Sequence, residues 1–322
     1  MRVIAILGLV AAVILGGAAW FLMRSAGPSP GPVQRVVVAL PPAGHGPAML
    51  LPAPDPALVE NTADGALPVI GKDGREPWQA YARPFDSSDK RPRLALIVTG
   101  LGLDHALSEA AADRLPAAVT LSFDPYADDV RNAINQARSL GHETLLGLPL
   151  EPLDYPREDP GPLTLLVALP SAENTTRLDK LMAEASGYVG LVALWGGRFT
   201  TEKAAVLSVF ETLKHRGLLF VDNKPPVGNA TALLAAQIKL PWAAANRTID
   251  SDTAPAAIDQ AFSDLEADAQ RGGAALAVAA LSPALVDHAA SWAATLEKKG
   301  LALAPASAVA NRQSTMPPSP QP

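Results

Sequence analysis

The chain has 322 residues, 48% of them hydrophobic and 18% charged, enough for one large domain or two ordinary ones. It contains no cysteine, which excludes thiol nucleophiles, zinc–thiolate sites, iron–sulfur clusters and disulfides together. Its 26 basic and 32 acidic residues leave a net charge of −6, which argues against non-specific nucleic-acid binding, because that needs a basic surface that releases counterions.

At the start of the chain, Arg2 precedes an uninterrupted apolar run over residues 3–23, closed by Arg24. As a helix rising about 1.5 Å per residue, this run matches the roughly 30 Å hydrocarbon core of a bilayer. The expectation is an uncleaved signal anchor over residues 1–24. It would hold the protein in the inner membrane by a single pass, with the globular part in the periplasm. Cleavage near Ala18 and Ala19 is the alternative. Residues 25–90 are rich in Pro, Gly and Ala, with Pro28, Pro30, Pro32, Pro41, Pro42, Pro47, Pro52, Pro54 and Pro56 close together. Proline removes donors and fixes φ, so this stretch reads as an extended linker with no packed core. Residues 311–322 read as a disordered tail for the same reason. A Ser-x-x-Lys match at Ser87 and Lys90 has no partner motif and reads as chance.

Between residues 91 and 310 short apolar runs alternate with amphipathic segments. Residues 94–98, 118–123, 143–148, 188–194 and 218–221 read as buried strands, with weaker ones at 240–244, 274–280 and 301–303. The segments between them read as helices, with Asp104 as an N-cap and Gly141 and Gly217 as stops. Continuously apolar strands alternating with helices belong to a mostly parallel α/β sheet covered on its outside. The number of units suits a closed or nearly closed β/α barrel better than an open sheet, with ligands at the carboxyl ends of the strands. One such end, Thr99-Gly100-Leu101-Gly102, is followed by Asp124 after the next strand, in the manner of a dinucleotide site. The third glycine position is His105, so that fingerprint is incomplete.

Several motifs fall in order at the strand ends. They are Pro77-Trp-Gln-Ala-Tyr-Ala-Arg-Pro-Phe85, Ser122-Phe-Asp-Pro-Tyr-Ala127, Gly141-His-Glu-Thr-Leu-Leu-Gly-Leu-Pro-Leu-Glu-Pro152, Gly196-Gly-Arg-Phe-Thr200 and Gly217-Leu-Leu-Phe-Val-Asp222. Together they resemble the divergent polysaccharide deacetylases, exported relatives of the NodB-like carbohydrate deacetylases, over residues 73–308. The resemblance implies a distorted (β/α)7 barrel of the glycoside hydrolase/deacetylase type. It also implies zinc-assisted chemistry with an aspartate base and a ligand set of one aspartate and two histidines.

The sequence departs from that pattern where the chemistry belongs. Thr99-Gly100-Leu101-Gly102 replaces the usual Asp-Asp-Leu-Gly, and Gly147 stands where a histidine is expected. Val192-Ala193-Leu194 replaces Asn-Asn-His, and Ala279-Ala280-Leu281 replaces Gly-His-Pro. Glu151 falls at the place of the second NodB-like histidine, but one carboxylate does not hold a catalytic metal. The expectation is therefore no metal, no other cofactor and no catalytic residue. None of His45, His105, His142, His215 and His288 is spaced with a second ligand, and Asp128 and Asp129 read as charges on a helix's first turn.

Asp124, Glu151, Arg198, Asp222, Asn223, Lys224, Arg247 and Asp250 remain polar near the strand ends, with Trp195 and Trp242 beside them. Carboxylates, amides and an arginine among aromatic rings suit a sugar. Individually they also have structural readings, with Asp222 bracing a turn or pairing with Lys224, and Arg198 bridging to a carboxylate. The functional expectation is a catalytically degenerate glycan-binding or protein-interaction module of the cell envelope. The alternatives are a metal-independent carbohydrate hydrolase using Glu151, Asp222 and Asp250, and a purely structural partner of an envelope protein.

Overall fold

The structure, a computed structural model, describes residues 50–224 and 230–313. The expected anchor over residues 3–23 lies outside them. Among the described residues no helix is long and apolar enough to cross a membrane.

Order begins well before the expected boundary at residue 91. Strands β1 (Val59–Asn61) and β2 (Ala66–Pro68) pair antiparallel, and a short helix α1 (Pro77–Ala80) follows. The linker reading is thus corrected from residue 50 onward. Beyond Pro56 the prolines thin out, while Leu58, Leu67 and Tyr81 supply apolar side chains that are almost wholly buried. Arg138 fastens this segment to the body, donating to the Tyr81 carbonyl at 3.1 Å, the Gly187 carbonyl at 2.7 Å and the Leu51 carbonyl at 2.7 Å. Its guanidinium also lies 5.1 Å from the centre of the Tyr81 ring.

The body is a curled parallel sheet. Its strands are β3 (Arg93–Leu101), β4 (Thr120–Phe123), β5 (Thr144–Leu150), β6 (Gly190–Trp195), β7 (Leu219–Asp222), β8 (Trp242–Ala244), β9 (Arg247–Ile249), β10 (Ala274–Ala280) and β11 (Ala302–Leu303). They run in the order β8-β7-β6-β5-β4-β3-β10-β9, with β11 added beside β3. The two ends of that order are neighbours in the chain. The Ala245 amide donates to the Asp222 carbonyl of β7 at 2.8 Å, and the next amide, Asn246, donates to the Leu276 carbonyl of β10 at 2.7 Å. One stretch of backbone therefore leaves one edge and joins the other. This agrees with the α/β class and helix-covered parallel sheet read from the repeat.

Helices α2 (His105–Arg114), α3 (Val130–Ser139), α4 (Ser171–Ala183), α5 (Lys203–His215), α6 (Ala230–Ile238), α7 (Pro255–Gly272), α8 (Pro283–Ala293) and α9 (Ala306–Val309) complete the domain. Asp104 caps α2 as expected, accepting from the Leu107 amide at 3.0 Å. Because side chains alternate across a strand, the sheet carries two apolar layers. Leu96, Val98, Leu121, Leu146 and Phe220 pack beneath the helices, and Ile97, Leu145, Val192, Val221 and Val278 fill the inside of the curl. The tail expectation is corrected at residues 311–313. Asn311 exchanges hydrogen bonds with the Trp242 backbone, and the Gln313 side chain accepts from the Ala244 amide at 2.7 Å.

Candidate functional site

The carboxyl ends of β4 to β7 and of β9 carry most of the polar residues picked out by sequence, and they prove to be of three kinds. Asp124, the first residue after β4, is buried and accepts from the Tyr126 amide at 2.9 Å. Burial raises its carboxyl above the ordinary range, against the pull of that amide. Ser122 lies on the same strand, and its buried hydroxyl has no partner among the described residues.

Glu151 and Asp222 are committed to the scaffold. Glu151 follows β5 and accepts from the Val167 amide at 2.6 Å through one oxygen, while its other oxygen lies 3.2 Å from Arg198 Nε. Its carbonyl also accepts from the amides of Arg198 and Phe199, both at 3.2 Å. The loop over residues 151–170 and the turn after β6 are thus tied to one residue. Asp222 shares the helix-facing side of β7 with Phe220. It accepts from the Thr231 hydroxyl of α6 at 2.6 Å and from the Lys224 amide at 3.1 Å. Burial pushes its carboxyl up to about 6, opposed by those two donors. Asp222 therefore occupies the turn-bracing role that the sequence left open, and it meets the backbone of Lys224 rather than its ammonium.

The third kind faces solvent. Trp195 ends β6 at a φ of 59°, followed by Gly196 at 87°, and its side chain is 40% exposed. A left-handed conformation is strained for an aromatic residue, and here it presents the ring outward. A β-carbon on Gly197, two residues on, would lie 3.1 Å from Leu153 Cγ, so the same turn touches a second exposed apolar side chain. Leu103, after β3, is exposed as well. Arg198, Lys224 after β7 and Asp250 after β9 are exposed, and Asn223 is half-buried with a buried amide oxygen unpaired among the described residues.

Two expected cleft residues lie elsewhere. Arg247 begins β9 and turns toward α7, 3.2 Å from Asp268. Trp242 begins β8 and is therefore at the opposite end of the sheet, bound to Asn311. Gly102, just after β3, also acquires a packing reason, because a β-carbon there would come within 2.5 Å of Ala127 Cβ. His142 is buried between the carbonyls of Val119 and Ala112, at 2.8 and 2.9 Å. Sequence reasoning passed over Leu103, Leu153 and Tyr126, whose hydroxyl accepts from the Leu163 amide at 3.0 Å and pins the long loop. Only the Asp-Pro-Tyr sequence at the end of β4 hinted at the last of these.

A zinc site of the deacetylase kind does not fit these residues. At Gly147 a β-carbon would lie 2.6 Å from Leu194 Cδ1 and 3.3 Å from Pro125 Cδ, so hydrocarbon fills the direction a ligand would need. Among the described residues no three His, Asp or Glu side chains converge as a metal would require.

Known proteins bear on the fold and its ancestry. A crystal structure of an uncharacterized protein from Agrobacterium tumefaciens C58 is similar at 36% identity and a TM-score of 0.73, covering 76% of this chain and 99% of that one. A putative cellobiose-phosphate cleavage protein from Enterococcus faecalis V583 shares the fold at 12% identity, with a TM-score of 0.51 over 68% of this chain and 99% of that one. The uncharacterized protein YibQ of Escherichia coli K12 is 26% identical over 147 residues, 45% of this chain and 44% of that protein's length. The family model described as divergent polysaccharide deacetylase matches residues 96–310, which spans the curled sheet from within β3 to the end of α9. The chain therefore belongs to the divergent polysaccharide deacetylase family.

Proposed function

We propose that this protein is a non-hydrolysing member of its family that binds glycan of the cell envelope on the strand-end face. Residues 3–23 would hold it at the inner membrane, with the folded domain in the periplasm. The observation that carries the reading is Trp195, held outward by a strained backbone beside Arg198. Its ring offers a stacking surface for the apolar face of a pyranose, and Arg198, Asn223, Lys224 and Asp250 supply hydrogen-bonding groups for hydroxyls.

The hydrolase alternative needs two carboxylates free to act across the scissile bond, about 5–10 Å apart. Glu151 and Asp222 each have both oxygens engaged, which leaves Asp250 without a partner of that kind among its named candidates. A protein partner is the second reading, favoured by the exposed Leu103 and Leu153 on the same face.

The test uses the full chain in detergent with chito-oligosaccharides, comparing added zinc with a chelator. Binding is expected in both conditions without acetate release, and Trp195→Ala should weaken it by about tenfold. Acetate release that the chelator abolishes would overturn the proposal. An absence of glycan binding would leave the protein-partner reading.

A further inference from the structure

At the amino-terminal end of the sheet, opposite Trp195, lies a cavity of about 520 Å³. The segment before β3, the first residue of β3 and the chain around α9 form the walls of this solvent-open depression, and its lining includes Trp78, Arg83, Phe85, Arg93 and Arg312. This end of a β/α sheet ordinarily serves stability, so three arginines in one lining call for a physical account.

Each arginine has a distinct support. Arg93 is buried, donates through Nη1 to the Ala308 carbonyl at 2.8 Å, and lies 4.5 Å over the centre of the Phe85 ring. Arg83 donates through Nη1 to the Gly141 carbonyl at 2.7 Å. Arg312 is exposed at the rim, and its side chain has no hydrogen bond or ion pair among the described residues. Burial first, and then the charge of Arg312 close by, lower the Arg93 guanidinium from its ordinary value.

None of the lining residues is acidic. Asp89, nearby, is held by Arg91 at 2.7 Å. Glu143 lies buried beneath, taking hydrogen bonds from the Arg83 amide at 3.2 Å, the Ser307 amide at 3.0 Å, the Ser307 hydroxyl and Thr120. A guanidinium has five N–H donors, and Arg83 and Arg93 each spend one nitrogen on a carbonyl, so the other donors carry no side-chain hydrogen bond among the described residues. Like charges gathered in a concave site, in a chain of net charge −6, are stabilised by an anion that brings its own oxygens.

We propose that this cavity is a second binding site, for a small organic anion whose carboxylate or phosphate is taken by Arg83, Arg93 and Arg312 and whose ring lies against Trp78. The volume falls within the range of small-molecule sites, roughly 300–1,000 Å³, and suits a monosaccharide acid better than a polymer. Bidentate pairing with planar or tetrahedral oxygens is the geometry in which arginine outperforms lysine.

Calorimetric titration of the full chain in detergent tests this with glucuronate and glucose 6-phosphate, set against glucose and inorganic phosphate. One or both ring-bearing acids should bind at least about tenfold more tightly than either control. Whichever acid binds names the anion. Arg312→Gln should weaken that binding by about tenfold with no change in unfolding midpoint, since its side chain holds nothing in place. Trp195→Ala should leave it unaltered, so failure here is separable from failure at the strand-end face. Equal binding of glucose or of inorganic phosphate, no millimolar binding of either acid, or an unaltered affinity in Arg312→Gln would each overturn the proposal.

Discussion

Leu194 Cδ1 lies 2.6 Å from the position that a β-carbon on Gly147 would take. Both positions correspond to histidine-bearing sites in the catalytic pattern that the family resemblance implies, and here they form one hydrocarbon contact. The two replacements are therefore coupled, because a leucine of that reach needs a glycine opposite. Gly147→His should destabilise the protein by about 1–3 kcal/mol through overpacking. Adding Leu194→Ala should recover part of the loss. Thermal unfolding with and without zinc checks this, and a zinc-dependent rise in midpoint for Gly147→His alone would contradict it.

Glu151 and Arg198 form an ion pair of unequal partners. The glutamate side chain is 5% exposed and the arginine 53%, with 3.2 Å between them. Removing the arginine leaves Glu151 its Val167 amide, and an exposed partner of this kind is worth about 1 kcal/mol or less. Removing the glutamate strands a half-buried amide that had a charged acceptor and leaves Arg198 without its partner, at about 1–3 kcal/mol. Urea unfolding should place Glu151→Ala well below Arg198→Ala. Limited proteolysis should find new cuts within residues 151–170 only in the former.

The parallel, helix-covered sheet was legible because its signal is periodic. Runs such as residues 94–98 are buried on both faces, and Asp104 and Gly141 punctuate the helices where local chemistry demands it. The site was less legible because polarity near a strand end does not say which face a side chain takes. Asp222 and Arg247 sit on the helix side by the strict alternation of a strand, which a register error of one residue conceals. Trp242 was misplaced by assuming that its strand began earlier. The outward ring of Trp195 depends on a left-handed backbone that no local pattern except the following Gly196-Gly197 announces.

Proline-rich composition concealed the start of the folded domain, and this has a consequence for truncation. A chain beginning at residue 91 loses the packing of Leu58 and Tyr81 and two of the three carbonyls that receive Arg138. In the full chain burial pushes that guanidinium down to about 10, and without the segment it keeps the Gly187 carbonyl and meets water, so it no longer fastens anything there. Losing two fully buried apolar side chains from the core costs about 1.5–3 kcal/mol each, a large share of ordinary domain stability. A chain beginning at residue 47 should unfold cooperatively by circular dichroism, and one beginning at residue 91 should not. A sharp transition in the shorter chain would return the boundary to residue 91.

Asp222 gives the domain a pH dependence whose sign follows from burial. Its carboxyl sits at about 6 in the folded protein against 3.8 for the free group, so the folded state holds the proton more tightly than the unfolded state does. The stabilising contribution is full below about pH 4 and is lost as pH rises through about 6. Relative to low pH, the ionised carboxylate costs on the order of 3 kcal/mol at pH 7. Asp222→Asn keeps the shape and an acceptor for the Lys224 amide, and the Thr231 hydroxyl can turn to accept from the new amide. Asp124 and Glu143, also raised by burial, titrate in both proteins and cancel in the comparison. The stability of wild type relative to Asp222→Asn should therefore fall between pH 5 and pH 7, as read from urea midpoints. A difference that stays constant across that interval would mean that Asp222 is ionised throughout, with its two hydrogen bonds outweighing its desolvation.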